Sequence, residues 1–565
     1  MTIINKQNQK KIILKIFSIT ALIVIPVLYV IRGLDLTDTG FVLTNQRLFF
    51  SHPEHISYWF HLYVTNFIGA IINQFFGQFG IISMKLASVI IFWLSSFFIL
   101  KIYKGIISES IILFILAVSS FFWFANKINI IHYNNLSALF IIIICYFLYK
   151  GFTENRLFSF FFAGFFIAIS FFTRLPNIMS FFLFFAILLY FRIFKKTTSI
   201  INFQKTIVFF LGIIIATGII ITLMCVLGHE TIYYNSIKSL FATSTHSNSQ
   251  YGIFHILKRS IRITFFACLY SGVLIVAVGI MSYLAGLITN QVFKIIAIII
   301  IAVLTIFLFT KLGITPIIAG LSYFISIFCF FLHNESKNTR LTIISLLSSC
   351  SIFFLCIGSD TGLDVSTYMY PFFLPLLFVI LTDLQSNLHT NYKQIPRIAL
   401  TITILTYIFL SITSFHLIYR DSLKLDSITK TKQLRYVFTN HSRAQVLDST
   451  INELRRRYTS GSELFIWDSA PLIYYATNTL PWLDNPWPVL YVSDTGDDFL
   501  LQKLLEKKAS SKDFAPILLA KKNPRSGGWP VLAGEIKYAD QIQIFIETNS
   551  YSKVWENDGF VLYEK

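Results

Sequence analysis

Long runs of Ile, Leu, Phe and Val recur along the first 419 residues of this sequence of 565. Many of them extend for about 18 residues or more, which is the length that a transmembrane helix requires. The thirteen spans predicted in this way are approximately 12–31, 81–101, 108–125, 133–149, 157–173, 177–194, 206–227, 263–288, 292–310, 313–332, 340–357, 368–383 and 397–419. The pattern therefore predicts a polytopic α-helical membrane protein.

The stretch 58–76 is apolar, but Asn66, Gly69, Asn73 and Gln74 interrupt it. We place it as amphipathic helices on the outer surface, because polar positions on one side of an apolar helix favour an interfacial location. If this stretch crossed the membrane instead, the orientation of every later span would be reversed.

The composition changes at about residue 420. Residues 420–565 have 19 Lys and Arg and 18 Asp and Glu, whereas residues 1–419 have 27 and 10. We predict a transmembrane domain over 1–419 and a soluble α/β domain over 420–565, which is long enough for its own core. Within the second, the pattern predicts strands at 463–468 and 515–520, helices at 470–477 and 497–508, and a terminal hairpin that turns at Asn557–Gly559.

The net charge of +18 does not indicate a nucleic-acid-binding protein, because cytoplasmic loops of membrane proteins collect Lys and Arg. With the N-terminus inside, 17 of the 27 basic residues of the first 419 fall in the inner segments. The bias predicts a cytoplasmic N-terminus, and the odd number of spans then predicts an extracytoplasmic C-terminal domain.

The segment from Arg32 to Phe60, here called the first outer loop, contains Asp35, Asp38 and Glu54, which are the only carboxylates before Glu109. A second acidic segment, Gly358-Ser-Asp-Thr-Gly-Leu-Asp364, is predicted on the same side and repeats the Asp-Thr-Gly sequence of Asp38. A carboxylate at the middle of the bilayer costs about 2.5–3.5 kcal/mol, so acids are expected in the loops. These acids either line one outer cavity or are ordinary solvated loop residues.

The order of motifs in the first 176 residues resembles that of the GT-C-fold glycosyltransferases that use polyprenyl-phosphate sugars, such as the aminoarabinose and protein O-mannosyl transferases. Asp38-Thr39-Gly40 stands where those families have Asp-Glu, and Glu54 to Trp59 resembles a later Glu-Lys-Pro and Tyr-Trp stretch. The further matches are Phe76-Gly77, Met84-Lys85-Leu86 and Thr173-Arg174-Leu175-Pro176. Two departures are Thr39 in place of Glu and His55 in place of Lys.

The resemblance implies a bacterial inner (plasma) membrane enzyme with a lipid-phosphate-sugar donor and an acceptor of unknown class. It implies Asp38 as general base, Glu54 as its assistant or a ligand of Mg²⁺ or Mn²⁺ together with Asp38, and Asp35 as a further catalytic candidate. It also makes Arg174 and Lys85 candidates for the donor phosphate, although Arg174 at a helix end is equally compatible with ordinary snorkelling. The remaining substrate-binding candidates are His55, Tyr58, Asp360 and Asp364.

Other interpretations stay open. His52, His55 and His61 are close in sequence, but their spacing matches no zinc-ligand motif. A transporter, a lipid-linked glycan flippase and a ligase are the alternative functions. Transporters typically have internal repeats and ionisable groups at the bilayer midplane, and neither pattern is evident here.

Overall fold

A computed structural model describes residues 2–124, 128–194, 199–244, 253–287, 314–335, 339–359, 362–387, 425–491, 497–510, 514–524, 529–530 and 540–565. Up to residue 387, the described chain consists of helices and the short segments that join them. Its helices are α1 (Thr2–Val30), α2 (Asp38–Leu48), α3 (Tyr63–Phe76), α4 (Ile81–Tyr103), α5 (Glu109–Phe124), α6 (Tyr133–Glu154), α7 (Leu157–Thr173), α8 (Phe181–Phe194), α9 (Ser199–Leu227), α10 (Glu230–Ser244), α11 (Ile253–Leu287), α12 (Ile314–Glu335), α13 (Thr339–Cys356) and α14 (Tyr370–Asn387). Four 3₁₀ helices accompany them, at Pro53–Trp59, Gly77–Phe79, Leu175–Ser180 and Gly362–Met369.

Eleven of the thirteen predicted spans coincide with helices, and the other two, 292–310 and 397–419, lie outside the described residues. Seven helical segments of the described chain are long and apolar enough to cross a membrane by length and composition. They are Lys11–Val30, Ile81–Tyr103, Tyr133–Glu154, Leu175–Ile193, Phe203–Leu227, Thr339–Cys356 and Gly362–Ile380. The prediction of a polytopic helical membrane protein is therefore confirmed.

Helix α3 covers the ambiguous stretch 58–76 with only 14 residues. At 1.5 Å per residue it is about 21 Å long, shorter than the roughly 30 Å hydrocarbon core of a bilayer. This length agrees with the interpretation of the stretch as an amphipathic helix rather than a span.

The C-terminal part contains a five-stranded sheet in the order β4-β3-β5-β7-β6, with β3 (Glu463–Trp467), β4 (Leu480–Pro481), β5 (Ile517–Ala520), β6 (Ser552–Glu556) and β7 (Phe560–Glu564). Strand β3 is parallel to β4 and β5, whereas β7 is antiparallel to β5 and β6. A separate two-stranded sheet pairs β1 (Ser427–Ile428) with β2 (Phe438–Thr439). Helices α15 (His441–Arg457), α16 (Leu472–Thr477), α17 (Asp497–Ser510) and α18 (Asp540–Thr548) accompany these sheets.

The elements predicted for the C-terminal part are confirmed, including the two strands, the two helices and the terminal hairpin. The hairpin turns at Asn557 because its side-chain Oδ1 accepts hydrogen bonds from the backbone N–H groups of Gly559 and Phe560, both at 2.9 Å. Asparagine favours such turns since its side chain reaches its own backbone.

The two faces of the sheet pack against different partners. Phe465 and Trp467 of β3 belong to a core formed within the C-terminal part. The alternate residues Leu464 and Ile466 belong to a second core, which also includes residues of the first outer loop and of α4. The members of this shared core from the N-terminal half are Leu34, Leu36, Phe41, Val42, Leu43, Ile81, Met84 and Ile130. Helix α2, expected as part of a loop, thus completes the core on one face of the sheet.

Candidate functional site

The N-terminus of α2 is fixed by the buried carboxylate of Asp35. One oxygen of Asp35 accepts hydrogen bonds from the backbone N–H and the hydroxyl of Thr37, at 3.1 and 2.7 Å. The other accepts from the N–H of Thr39 at 2.7 Å. Asp35 therefore satisfies donors that the first turn of a helix leaves without intrahelical partners.

Asp38 is the first residue of α2 and is half-buried. An ionised carboxylate at this position is stabilised by the positive end of the helix dipole. The two neighbouring acids thus differ: Asp35 supports the local fold, whereas Asp38 combines partial exposure with a helix that holds it in place.

The side chain of Lys85 reaches the backbone just before this turn. Its side chain is only 4% exposed, and its ammonium donates hydrogen bonds to the carbonyl oxygens of Gly33 at 3.0 Å and Arg32 at 3.3 Å. The resemblance predicted Asp38 and Lys85 as parts of one site, and the structure brings both to the residues that surround Asp35.

The second cluster is the 3₁₀ helix Pro53–Trp59, which exposes Glu54. Its Oε1 lies 3.4 Å from Nδ1 of His52 and 3.6 Å from Nε2 of His55. Potential ligand atoms of these three residues all lie within 4.8 Å of one another, the only such group of three or more His, Cys, Asp or Glu within the described ranges. Two imidazoles and one carboxylate suit a transition metal better than Mg²⁺. Asp38 is not a member of this group.

Residues 481–491 of the C-terminal part hold the 3₁₀ helix from the other side. The imidazole Nδ1 of His55 lies 2.7 Å from the carbonyl oxygen of Pro481, and the N–H of Tyr58 donates to the carbonyl of Asp484 at 3.2 Å. The rings of Tyr58 and Tyr491 meet edge to face at a centroid distance of 4.7 Å. The carboxylate of Asp484 accepts from the hydroxyls of Ser57, at 3.2 Å, and Tyr491.

Aromatic contacts join the two clusters. Phe41, one turn after Asp38 on α2, packs edge to face on Trp59 at a centroid distance of 5.5 Å and also contacts Trp487 at 6.1 Å. Burial of such rings excludes water and fixes geometry. Asp38 and Glu54 are therefore carried on elements that pack against each other through Phe41 and Trp59.

Arg174 lies at the end of α7 and is 4% exposed. Its guanidinium donates hydrogen bonds to the carbonyl oxygens of Leu355, at 2.8 Å, and Ile357, at 3.1 Å, and lies 5.9 Å from the ring centroid of Tyr133. These carbonyls belong to the C-terminal end of α13, where cations are favoured. Arg174 therefore binds the end of α13, whether or not it also contacts a ligand. A snorkelling arginine would instead extend its guanidinium into water.

The second acidic segment, residues 358–364, follows α13 in the chain. Asp364 is exposed in the first turn of the 3₁₀ helix Gly362–Met369, whereas Asp360 lies outside the described residues. A pocket between α11 and this segment is lined by Arg259, Ser260, Cys356, Ser359 and Gly362, among others. Arg174 and the pocket therefore flank the same end of α13.

One short segment, 128–133, connects these groups. The carbonyl of Asn129 accepts from Ser88, one turn after Lys85, and the carbonyl of Ile131 accepts from Gln46 of α2 at 2.9 Å. His132 lies 3.4 Å from the hydroxyl of Tyr368, and Tyr133 contacts Arg174. The first outer loop, Lys85 and Arg174 thus lie at the same end of the helical bundle.

Two buried ionisable groups stabilise the loop without lying among the predicted site residues. Burial lowers the pKa of His61 to about 4, and the ring lies 3.3 Å from the Ser236 hydroxyl. Burial also lowers the pKa of Arg47 to about 10, which leaves it charged at neutral pH. Arg47, at the end of α2, donates to the carbonyls of Tyr474 and Thr479, at 2.8 and 2.7 Å.

Sequence reasoning missed Asp484 and Arg47. The signal for the first was the Pro- and Trp-rich stretch 481–488, Pro-Trp-Leu-Asp-Asn-Pro-Trp-Pro, within an otherwise ordinary soluble domain. For Arg47 no signal exists, because its partners are more than 400 residues away.

No protein-family model and no curated protein sequence matches this chain. Its fold does match two crystal structures of ArnT from Cupriavidus metallidurans, one bound to undecaprenyl phosphate and one in the apo state, with TM-scores of 0.53 and 0.50. Each match has 10% sequence identity and covers 97% of both chains. The fold of this protein, from its first helices to its C-terminal sheet, is therefore similar to that of ArnT, a GT-C-fold aminoarabinose transferase.

Proposed function

We propose that this protein is an integral-membrane glycosyltransferase that moves a sugar from a polyprenyl-phosphate donor to a lipid, glycan or protein acceptor at the outer face of the membrane. The observation that carries the proposal is the ArnT-like fold of the chain, in which the half-buried Asp38 begins α2 and the buried amine of Lys85 binds the carbonyl of Gly33, five residues before it. An ArnT structure contains undecaprenyl phosphate, which supports a lipid-phosphate partner here.

The reaction assigns a task to each group. Asp38 accepts the proton of an acceptor hydroxyl, whose oxygen forms a bond to the anomeric carbon of the sugar. The bond between that carbon and the phosphate oxygen breaks, and the polyprenyl phosphate leaves with the electron pair. Lys85 and Arg174 supply positive charge that stabilises the leaving phosphate.

The substrate contacts proposed for the second cluster involve His55 and Tyr58, and Asp360 and Asp364 of the second acidic segment are further proposed contacts. A divalent cation at Glu54 would be a Lewis acid for phosphate or hydroxyl oxygen. Among the described residues, His52 and His55 are the side chains whose possible ligand atoms lie close to those of Glu54. These three residues would therefore hold such an ion more readily than Asp38 and Glu54 alone.

The test is sugar transfer from a labelled polyprenyl-phosphate sugar in membranes that contain Asp38→Asn. The substitution keeps shape but removes the base, so transfer should fall by about 10²–10⁴-fold with normal protein level. Asp558→Asn, an exposed acid of the terminal hairpin, is the matched control and should behave as wild type.

Two results would overturn the proposal. Transfer by Asp38→Asn within a few-fold of wild type would overturn the part of the proposal that makes Asp38 the base, and Asp35 or the pair Asp360 and Asp364 would be tested next. Movement of the labelled donor across the bilayer by the wild-type protein, with the sugar still attached to its lipid, would indicate a flippase or transporter instead.

A further inference from the structure

Exposed large apolar side chains are concentrated at one place in the described C-terminal part. Within the described residues from 425 onward, the exposed large hydrophobic residues are Ile428, Tyr436, Phe438, Leu505 and Ile544. Three of these five lie within eleven residues, next to the point where the chain leaves its last predicted span. A concentration of exposed apolar surface typically marks an interaction site.

The local geometry makes these three residues one surface. Ile428 of β1 and Phe438 of β2 are directly opposed in the antiparallel pair, and they are 49% and 41% exposed. Tyr436, two residues before Phe438, is 51% exposed and has a left-handed backbone conformation with φ of 71°. A bulky residue rarely adopts that conformation, so the surrounding structure maintains it.

Basic residues lie among these apolar ones. Lys430 and Lys432 are exposed, and the guanidinium of Arg435 lies 4.8 Å from the ring centroid of Tyr436. Alternation of aromatic residues with Lys and Arg is typical of protein surface at the head groups of a bilayer, where aromatic rings are only partly immersed and cations meet lipid phosphates.

Backbone hydrogen bonds place this surface at the end of two membrane helices. The N–H of Phe438 donates to the carbonyl of Ile31, directly after α1, and the N–H of Gly33 donates back to Phe438, both at 2.8 Å. The N–H of Ile81, the first residue of α4, donates to Gln433, also at 2.8 Å.

The adjoining surfaces of those helices are apolar as well. Leu28 of α1 and Leu86 of α4 are 50% and 41% exposed, within about one or two turns of the helix ends. Both helices have the length and composition of membrane spans, so we expect these leucines to face lipid just below residues 428–438.

We propose that Ile428, Tyr436 and Phe438 form an interfacial anchor that inserts between lipid head groups, with Lys430 and Lys432 in contact with anionic phospholipids. The anchor holds the C-terminal part against the bilayer, next to the N-terminal end of α4 that carries Lys85. It requires no transfer chemistry and is independent of the function proposed above.

The first test replaces Tyr436 or Phe438 by the photoreactive residue p-benzoylphenylalanine in the full-length protein. The protein is placed in vesicles of phosphatidylethanolamine and phosphatidylglycerol that contain a radiolabelled phospholipid, and then irradiated. Leu505 and Ile544, which are equally exposed in the same part, give matched control positions. The expected result is lipid labelling at 436 and 438 that is several-fold higher than at 505 and 544. Equal labelling at all four positions, or crosslinking of positions 436 and 438 to a second copy of the chain or another protein, would overturn the anchor.

The second test addresses the charges. With the photoreactive residue at 436, labelling by phosphatidylglycerol should exceed labelling by phosphatidylcholine several-fold. In the double variant Lys430→Gln and Lys432→Gln, this preference should disappear while total lipid labelling persists. An unchanged preference would show that these lysines do not select anionic lipid and would overturn that part of the proposal.

Discussion

The hydroxyl of Ser57 donates a hydrogen bond of 3.2 Å to the carboxylate of Asp484, although 427 residues separate them. Ser57 belongs to the 3₁₀ helix that carries Glu54, His55 and Tyr58. Because the same carboxylate also accepts from the Tyr491 hydroxyl, a residue of the C-terminal part positions a segment of the candidate active site.

We expect Ser57→Ala and Asp484→Asn each to lower kcat for sugar transfer, by roughly tenfold for the second, because a contact of about 1.4 kcal/mol corresponds to that factor. The double variant should lose little more than Asp484→Asn alone, since both changes remove one interaction. The measurement is a double-mutant cycle on kcat and KM, with the exposed serine variant Ser552→Ala as control. Independent, multiplicative losses would contradict this role of Asp484.

Arg174→Ala should reduce both stability and transfer. The carbonyls of Leu355 and Ile357 would lose their donor, and a buried polar group without a partner costs about 1–3 kcal/mol. Arg174→Lys keeps the charge but not the two-pronged geometry, so it should restore transfer only partly. Thermal unfolding and turnover are measured together, with Arg156→Ala at the opposite end of α7 as control. A stable Arg174→Ala protein with wild-type turnover would show that Arg174 contributes to neither stability nor transfer.

Acidification should destabilise the protein through His61. Its pKa is lowered by burial to about 4 in the folded state, against about 6.5 in an unfolded chain. The folded state therefore binds fewer protons between these values, and the stability contribution present above pH 6.5 is lost as the pH falls toward 4. Unfolding temperatures between pH 7.5 and 5 should fall less steeply in His61→Gln than in wild type. Parallel pH profiles of the two proteins would exclude His61 as the titrating group.

Metal removal tests the ligand group around Glu54. We expect a chelator to lower transfer, and Glu54→Gln to lower both transfer and metal content measured by mass spectrometry. Because two imidazoles accompany the carboxylate, a transition metal such as Mn²⁺ or Zn²⁺ should restore activity at lower concentration than Mg²⁺. Glu547→Gln, an exposed acid of α18, is the control. Full activity after exhaustive chelation would rule out a catalytic metal.

The orientation of the chain also remains a prediction. A reporter fused after Lys565 should be active only outside the cytoplasm, because the basic residues favour a cytoplasmic N-terminus and the spans are odd in number. Activity of a cytoplasm-specific reporter at that position would place the candidate site on the inner face.

The sequence allowed prediction of features that depend on local patterns. Continuous apolar runs located the spans, and the turn at Asn557 located the last hairpin, because each signal is contained in neighbouring residues. The first outer loop was harder to predict. Its residues 38–48 include Thr, Asn, Gln and Arg, which suggested a solvated loop, yet most of them are buried in α2. Thr44 and Arg47 bond to carbonyls of the distant C-terminal part, and Gln46 bonds to Ile131, and a single sequence carries no sign of such pairing.

The candidate site residues likewise divide into those that short local motifs indicate and those that only tertiary contacts reveal. The resemblance of short motifs made Asp38, Lys85 and Arg174 candidates, and these three residues lie at one end of the bundle. The resemblance ranked Asp38 above Asp35 by motif position alone, whereas the hydrogen bonds from Thr37 and Thr39 show that Asp35 supports the start of α2. The contact of Asp484 with Ser57 likewise depends on tertiary structure alone.

The close contact between α2 and α16 has a consequence for biosynthesis. A Cβ atom on Gly40 would lie 2.1 Å from the backbone nitrogen of Leu472, so the two helices meet without an intervening side chain. The nearby hydrogen bond from Thr44 to Pro471 spans 427 residues. At translation rates of about 5–20 residues per second, α2 waits on the order of 20 to 90 s for its partner to be synthesised. During that interval its apolar residues are available to chaperones and proteases, and a chain that stalls before residue 472 leaves this helix uncovered.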